Sequence, residues 1–241
     1  MKVSVAITTK NEERYIKTTL NSLINQTRKP DEIIIIAAFS IDRTYKIVKE
    51  YVKNNPERIK FKIDQKESII PVGRDIGAKI AEGDILLIMD ADISLKKDWL
   101  KIVLPYFQHS NIVAVCGDLL PSKGDIKSKL VYLGLTIGTT LLRFFDREIV
   151  SKGGTVFAVK KDIFKEIDGY LTDFVVSEDV YISRRLIVKG KIKFVKEAKG
   201  WFFVRRFEKM GYLKTCLKQI KIYWVYDVFH TIPKVEYNSV E

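Results

Sequence analysis

Short apolar runs and amphipathic stretches alternate through the first half of the chain. Val3–Thr9 is an apolar run of strand length, and Glu13–Asn25 carries Ile16, Leu20, Leu23 and Ile24 at helical spacing. The pattern repeats. Ile33–Ala38 predicts a second strand, and Asp42–Lys53, with Tyr45, Val48 and Val52 on one face, a second helix. Ile59–Ile63, Val72–Ala81 and Ile85–Met89 predict a strand, a short helix ended by Gly83, and a strand. Such a βαβα order predicts a mostly parallel sheet flanked by helices, with ligands at the carboxyl ends of the strands.

The second half is less regular. Asp98–Phe107 predicts a helix, and Ile112–Cys116 and Thr155–Val159 predict strands. Ser177 is placed to cap a helix running to Val188 and closed by Gly190. Leu130–Leu142 has no charged residue. It is shorter than the roughly 20 residues of a membrane span. Buried core is the expectation for it, with an interfacial segment as the alternative. Phe207–Phe229 predicts a long amphipathic helix with Leu213, Leu217, Ile220, Trp224 and Val228 on one face and Lys214, Lys218 and Lys221 beside them.

The 241 residues, 46% of them hydrophobic, suffice for one nucleotide-binding domain with a C-terminal appendage. The boundaries expected are 1–203 for the domain, with a nucleotide part to about 118 and an acceptor part from 119, and 204–241 for a basic helix and tail. A net charge of +12 predicts attraction to anions: phosphate-bearing substrates, an anionic membrane or nucleic acid. No helix-turn-helix, RNP or zinc pattern supports nucleic acid. Cys116 and Cys216 form no CxxC pair and read as free thiols; His109 and His230 form no HExxH. No secretory signal or spanning segment is visible, so a cytoplasmic protein is expected, peripheral at the inner face of the cell membrane if the basic helix binds lipid.

Three local patterns can carry chemistry. Asp90-Ala91-Asp92 ends the apolar run Ile85–Met89 and would set two carboxylates at the carboxyl edge of the sheet. Such oxygens suit Mg²⁺ or Mn²⁺; the plain alternative is a polar loop. Ser177-Glu178-Asp179 opens a helix, where a carboxylate can act as a general base or only cap. Thr8-Thr9-Lys10-Asn11-Glu12 follows the first strand and can hold a nucleotide or only form a turn and helix cap.

Five blocks fall in a telling order. VSVAITTKNEERYIKTTLNSLINQTRKPDEIIII, SIDRT, GRDIGAKIAEGDILLIMDAD, GGTVFAVKKDIFKEIDGY and SEDVYISRRL together resemble the family 2 inverting glycosyltransferases with the Rossmann-like GT-A fold, over about residues 2–190. The resemblance implies that Thr8, Thr9, Glu12 and Asp42 lie at the nucleotide. Arg74 would lie near the base and diphosphate. Asp90 would be near the ribose and Asp92 on a divalent cation, Mn²⁺ or Mg²⁺, the two forming the DxD. Gly153 and Gly154 would line the sugar and acceptor, and Asp179, after Glu178, would be the catalytic base. The implied partners are a UDP- or GDP-linked sugar donor and a glycan or lipid-linked acceptor.

Two departures stand out. Ala37-Ala38-Phe39-Ser40 occupies the place of the family's Asp-Asp-Gly-Ser block, which leaves the base preference open, and Trp201–Gly211 holds no histidine to complete a metal shell. A catalytically inactive relative, or a basic nucleic-acid- or membrane-binding module, is the competing expectation.

Overall fold

A computed structural model describes residues 1–38, 40–55, 60–66, 70–144, 150, 154–170, 178–204, 208 and 211. Gly153, Ser177 and, apart from Glu208 and Gly211, the expected helix Phe207–Phe229 therefore lie outside the described residues, as does most of the expected appendage.

The first half follows the apolar pattern. Strand β1 (Val3–Thr9), helix α1 (Ile16–Ile24), strand β2 (Glu32–Ala38), helix α2 (Thr44–Lys53), strand β3 (Lys60–Lys66), helix α3 (Ile70–Ile80) and strand β4 (Ile85–Asp90) alternate in order. The second half adds β5 (Ile93–Leu95), α4 (Trp99–Val103), a 3₁₀ turn (Leu104–Gln108), β6 (Ile112–Pro121), α5 (Ile126–Phe144), β7 (Val156–Lys160), α6 (Lys161–Glu166), α7 (Glu178–Lys189) and β8 (Lys191–Phe202).

One sheet joins all eight strands in the order β3-β2-β1-β4-β7-β6-β8-β5. β1, β2, β3 and β4 are parallel to one another; β7 and β5 run against their neighbours, while β8 is parallel to β6. The mostly parallel mixed sheet is thus as expected. β1, β2 and β4 are buried on both faces, which is why they read as continuous apolar runs. Ile33 and Ile35 join α1 and α2 in one core cluster; Ile34, Ile36, Leu86 and Ile88 join α3, α6 and α7 in the other.

Strand order reverses between β1 and β4, because β2 and β3 extend to one side and β7 to the other. A crevice at such a switch point, at the carboxyl edge, is where open α/β sheets hold ligands. Helix α3 reaches that edge by close approach. A Cβ on Gly73 would lie 2.5 Å from Thr8 Cγ2, and one on Gly77 would lie 3.1 Å from Ala6 Cβ. The two glycines, one helical turn apart, let α3 lie directly on β1.

Several expectations are corrected. Leu130–Leu142 belongs to the longer helix α5, and its Leu130, Leu133 and Ile137 are exposed rather than core. The helix expected at Asp98–Phe107 is one turn of α-helix followed by the 3₁₀ turn, where Pro105 lacks a donor. β5, α6 and the twelve-residue β8 were not anticipated. Among the described residues no helix is long and apolar enough to cross a membrane.

Candidate active site

The site is assembled at the carboxyl edge by strand register. Thr8 of β1 stands between Ile36 of β2 and Asp90 of β4, and Thr9 is opposite Ala37. β7 runs the other way, so its entry, not its exit, lies at this edge. Asp90 N–H donates to the Thr155 carbonyl at 3.0 Å, and Thr155 N–H donates to Asp90 Oδ2 at 2.8 Å. α7 presents Glu178 and Asp179 in its first turn, where the helix dipole favours carboxylates.

Arg74 binds these pieces together. Its side chain is only 3% exposed, on α3. Nη2 donates to Asp90 Oδ1 at 2.6 Å and to Thr155 Oγ1 at 2.8 Å; Nη1 donates to Glu178 Oε1 at 2.9 Å. Asp179 Oδ1 lies 3.8 Å from Nη1. The guanidinium also lies 5.3 Å from the centroid of the Tyr170 ring, a cation–π arrangement. Burial alone would favour losing the proton, but Asp90 and the other carboxylates outweigh it and raise the arginine pKa well above its ordinary value. Burial likewise pushes the Tyr170 phenol well up, so it stays protonated.

Thr155 is the second hub. Its hydroxyl accepts from Arg74 and donates to Asp179 Oδ1 and Oδ2 at 3.0 and 3.1 Å. One buried hydroxyl thus couples the first aspartate of the Asp90-Ala91-Asp92 pattern to Asp179. The turn that supplies Tyr170 is fixed from α3 as well. Tyr170 N–H donates to Asp75 Oδ1 at 2.9 Å, and Gly169 has φ of +60°, with room for no Cβ beside Asp75. Burial drives the Asp75 carboxyl up to about 6, against the lowering effects of the Tyr170 N–H, Lys79 and Arg74.

The loop after β1 is tied to the loop after β2. Asn11 takes a left-handed φ of 56°; its N–H donates to Ser40 Oγ, and its Oδ1 accepts from Ile41 N–H at 3.0 Å. Glu12 N–H donates to Thr44 Oγ1 at 2.7 Å, and Glu13 N–H donates to Asp42 Oδ2 at 3.1 Å. Asp42 Oδ1 also accepts from Thr44 N–H and Oγ1. Burial raises the Asp42 pKa, but these hydrogen bonds prevail and lower it. Thr8 Oγ1 and Thr9 Oγ1 are buried polar atoms with no protein partner among the described residues. Gly154 borders Asp90: a Cβ there would lie 3.0 Å from Ile93 Cδ1 and 3.7 Å from Asp90 Oδ2. Asp92 lies half-buried in the turn between β4 and β5, its carbonyl accepting from Phe203 N–H.

The structure therefore brings Arg74, Asp90, Glu178 and Asp179 into one cluster, with Thr8 beside Asp90 in register and Gly154 against it. Asp42 and Glu12 lie in the neighbouring loops, both bonded to Thr44. Thr155, Tyr170 and Asp75 were not singled out from sequence. The signals for them were the Thr immediately after Gly153-Gly154 and the Asp-Gly-Tyr turn.

A divalent cation suits this edge in charge. One guanidinium faces the carboxylates of Asp90, Glu178 and Asp179, whose side chains are 28%, 19% and 17% exposed. Within this cluster of described residues three carboxylates face one guanidinium, before Asp92 is counted. Among the described residues no three His, Cys, Asp or Glu side chains form a ready cage. An ion held by one or two carboxylates and completed by substrate phosphate oxygens, the usual habit of Mg²⁺, needs no such cage.

A parallel-sheet switch point with an acidic edge is the architecture of a nucleotide-binding α/β domain. The family model "Glycosyl transferase family 2" matches residues 4–168, and the chain belongs to that family. Among its relatives, an O-antigen chain rhamnosyltransferase of Salmonella typhimurium is 26% identical over 218 residues, 82% of this chain and 65% of the relative. A glucosyl-dolichyl phosphate glucuronosyltransferase of Haloferax volcanii is 24% identical over 182 residues, covering 72% of this chain and 57% of its own length. The chain thus spans less than two thirds of the length of these relatives. The fold is similar to that of Staphylococcus aureus TarS 1-349 solved with UDP-GlcNAc, at a TM-score of 0.66 and 20% identity over 85% of this chain and 59% of that one.

Proposed function

We propose that the protein is an inverting glycosyltransferase that moves a sugar from a nucleotide diphosphate donor to an acceptor hydroxyl or a lipid phosphate. The observation that carries this reading is the convergence of Asp90, Glu178 and Asp179 on Arg74 and Thr155 at the switch-point edge. Family membership and the UDP-GlcNAc complex of a fold relative support the donor class.

Thr8, Thr9, Glu12 and Asp42 form the nucleotide side of the site; among the described residues the buried hydroxyls of Thr8 and Thr9 have no protein partner. Asp90 and Asp92 would hold a divalent cation, which when bound neutralises charge growing on the diphosphate. Gly153 and Gly154 border the transferred sugar, Gly154 lying against Ile93 and Asp90. Asp179 takes the proton of the acceptor hydroxyl as its oxygen bonds to the anomeric carbon. The bond to the diphosphate breaks, its electron pair stays on the diphosphate oxygen, and the carbon inverts. An ionised lipid phosphate attacks without that proton transfer and does not need Asp179 as a base. Arg74 and Thr155 are positioning residues: they fix the carboxylates of Asp90, Glu178 and Asp179 before substrate arrives.

The test is release of nucleotide diphosphate from UDP- and GDP-sugars, with and without simple acceptors. Asp179→Asn is expected to keep donor binding and to lose transfer to a hydroxyl by about 10²-fold or more. Transfer near the native rate in that variant rules out Asp179 as the base.

A further inference from the structure

Helix α5 (Ile126–Phe144) is apolar on the side that ought to be polar. Its inner face packs on the domain: Ser128 and Val131 are buried, Leu135 joins the core, and the Tyr132 hydroxyl donates to Asp118 Oδ2 at 2.8 Å. Facing outward are Ile126, Leu130, Leu133 and Ile137, exposed by 75%, 62%, 53% and 53%. At 3.6 residues per turn these four fall within an arc of about 60°, with Leu135 opposite and Val131 about 130° away. They form a ridge of their own and are not the margin of the core. Four of the nine large exposed hydrophobics named among the described residues lie on this one helix. Scattered exposed leucines are ordinary, whereas a contiguous apolar stripe marks a contact surface.

The charge around the ridge indicates what it meets. Lys127 and Lys129 are exposed on its two flanks and α5 contains no acidic residue; just before it stand the exposed Asp125 and Lys123, the latter paired with Glu208. An anionic bilayer satisfies both features, since acyl chains receive the ridge and phosphate headgroups receive the lysines. We propose that the outer face of α5 is a membrane-docking surface that seats the protein on anionic lipid. This holds whatever the transferred sugar, and it does not draw on Lys214, Lys218 and Lys221.

The test is sedimentation of the full chain with vesicles of phosphatidylcholine alone, or with about one third phosphatidylglycerol, across a salt series. The native chain is expected to bind the anionic vesicles and not the neutral ones. Combined Leu130→Gln, Leu133→Gln and Ile137→Gln is expected to cut that binding by about tenfold or more with unchanged thermal unfolding. Lys127→Glu with Lys129→Glu is expected to weaken it and flatten its salt dependence. A variant with Lys214, Lys218 and Lys221 changed to Gln, keeping the ridge, should retain binding that the ridge variant lacks. Three outcomes overturn the proposal. One is no binding of the native chain to anionic vesicles. The second is binding unaffected by the ridge substitutions. The third is native self-association abolished by those substitutions while vesicle binding persists, which assigns the ridge to a second copy.

Discussion

The cluster around Arg74 and the ridge of α5 invert the usual partition in opposite ways. One buries a charge with a side-chain exposure of 3%; the other exposes aliphatic side chains by more than half. Buried charge is costly unless paired, and here the guanidinium is met at 2.6–2.9 Å by Asp90, Thr155 and Glu178. Exposed apolar groups carry no comparable penalty for folding, so the ridge persists without internal compensation. The contrast teaches that the first feature is built into the stability of the domain, whereas the second is nearly independent of it.

Substitutions can break that contrast or sharpen it. Arg74→Met leaves the half-buried carboxylates without their cation and is expected to cost about 2–4 kcal/mol by denaturant unfolding. A loss under about 1 kcal/mol would mean that the cluster is not held by the guanidinium. Thr155→Val removes the hydroxyl shared by Arg74 and Asp179, with an expected cost of about 1–3 kcal/mol and a rescue by Thr155→Ser. Its transfer rate should fall with a shifted pH profile while donor affinity holds; a fall in affinity alone would point to a merely structural role.

Asp75 gives a subtler test. Its folded pKa of about 6 lies above the ordinary 3.8, so the native state holds the proton more tightly than the unfolded chain. Stability therefore falls as pH rises from about 4 to about 6 and is flat in this respect above. Asp75→Asn keeps the acceptor for Tyr170 N–H and removes the charge. It is expected to exceed the native protein by about 1–2 kcal/mol at pH 7, with the two converging below pH 4. A variant weaker than native at pH 7 contradicts the burial account. The smallest effect belongs to the ridge: Leu133→Gln should change stability by no more than about 0.5 kcal/mol. A loss above about 2 kcal/mol would show that the ridge is covered within the fold.

The legible parts of the sequence were those where burial is uniform. β1, β2 and β4 are buried on both faces and read directly as apolar runs, and the alternating helices gave the sheet its parallel order. β8 hid because its register shifts opposite Gly117 and Asp118, which breaks the two-residue period, and because Lys and Glu fill its outward positions. α5 misled because absence of charge was equated with burial, although apolar residues fall on both its faces. At the site, Asp90, Glu178 and Asp179 were legible as carboxylates at element ends. Thr155 was not, because its role depends on the antiparallel entry of β7 beside β4, a tertiary fact with no local signature. Arg74 was legible as a residue but not as a buried brace, since its depth follows from Gly73 and Gly77 lowering α3 onto β1.

The most direct test of the account is thermal unfolding with UDP, GDP and their sugar conjugates, in Mn²⁺ or Mg²⁺ and then with chelator. One nucleotide class is expected to stabilise the protein, by about 2.7 kcal/mol at a hundred times its dissociation constant. That gain should diminish with chelator and in Asp92→Ala. If neither nucleotide class shifts the transition with either metal present, the carboxyl edge is not a donor site and the central claim is wrong.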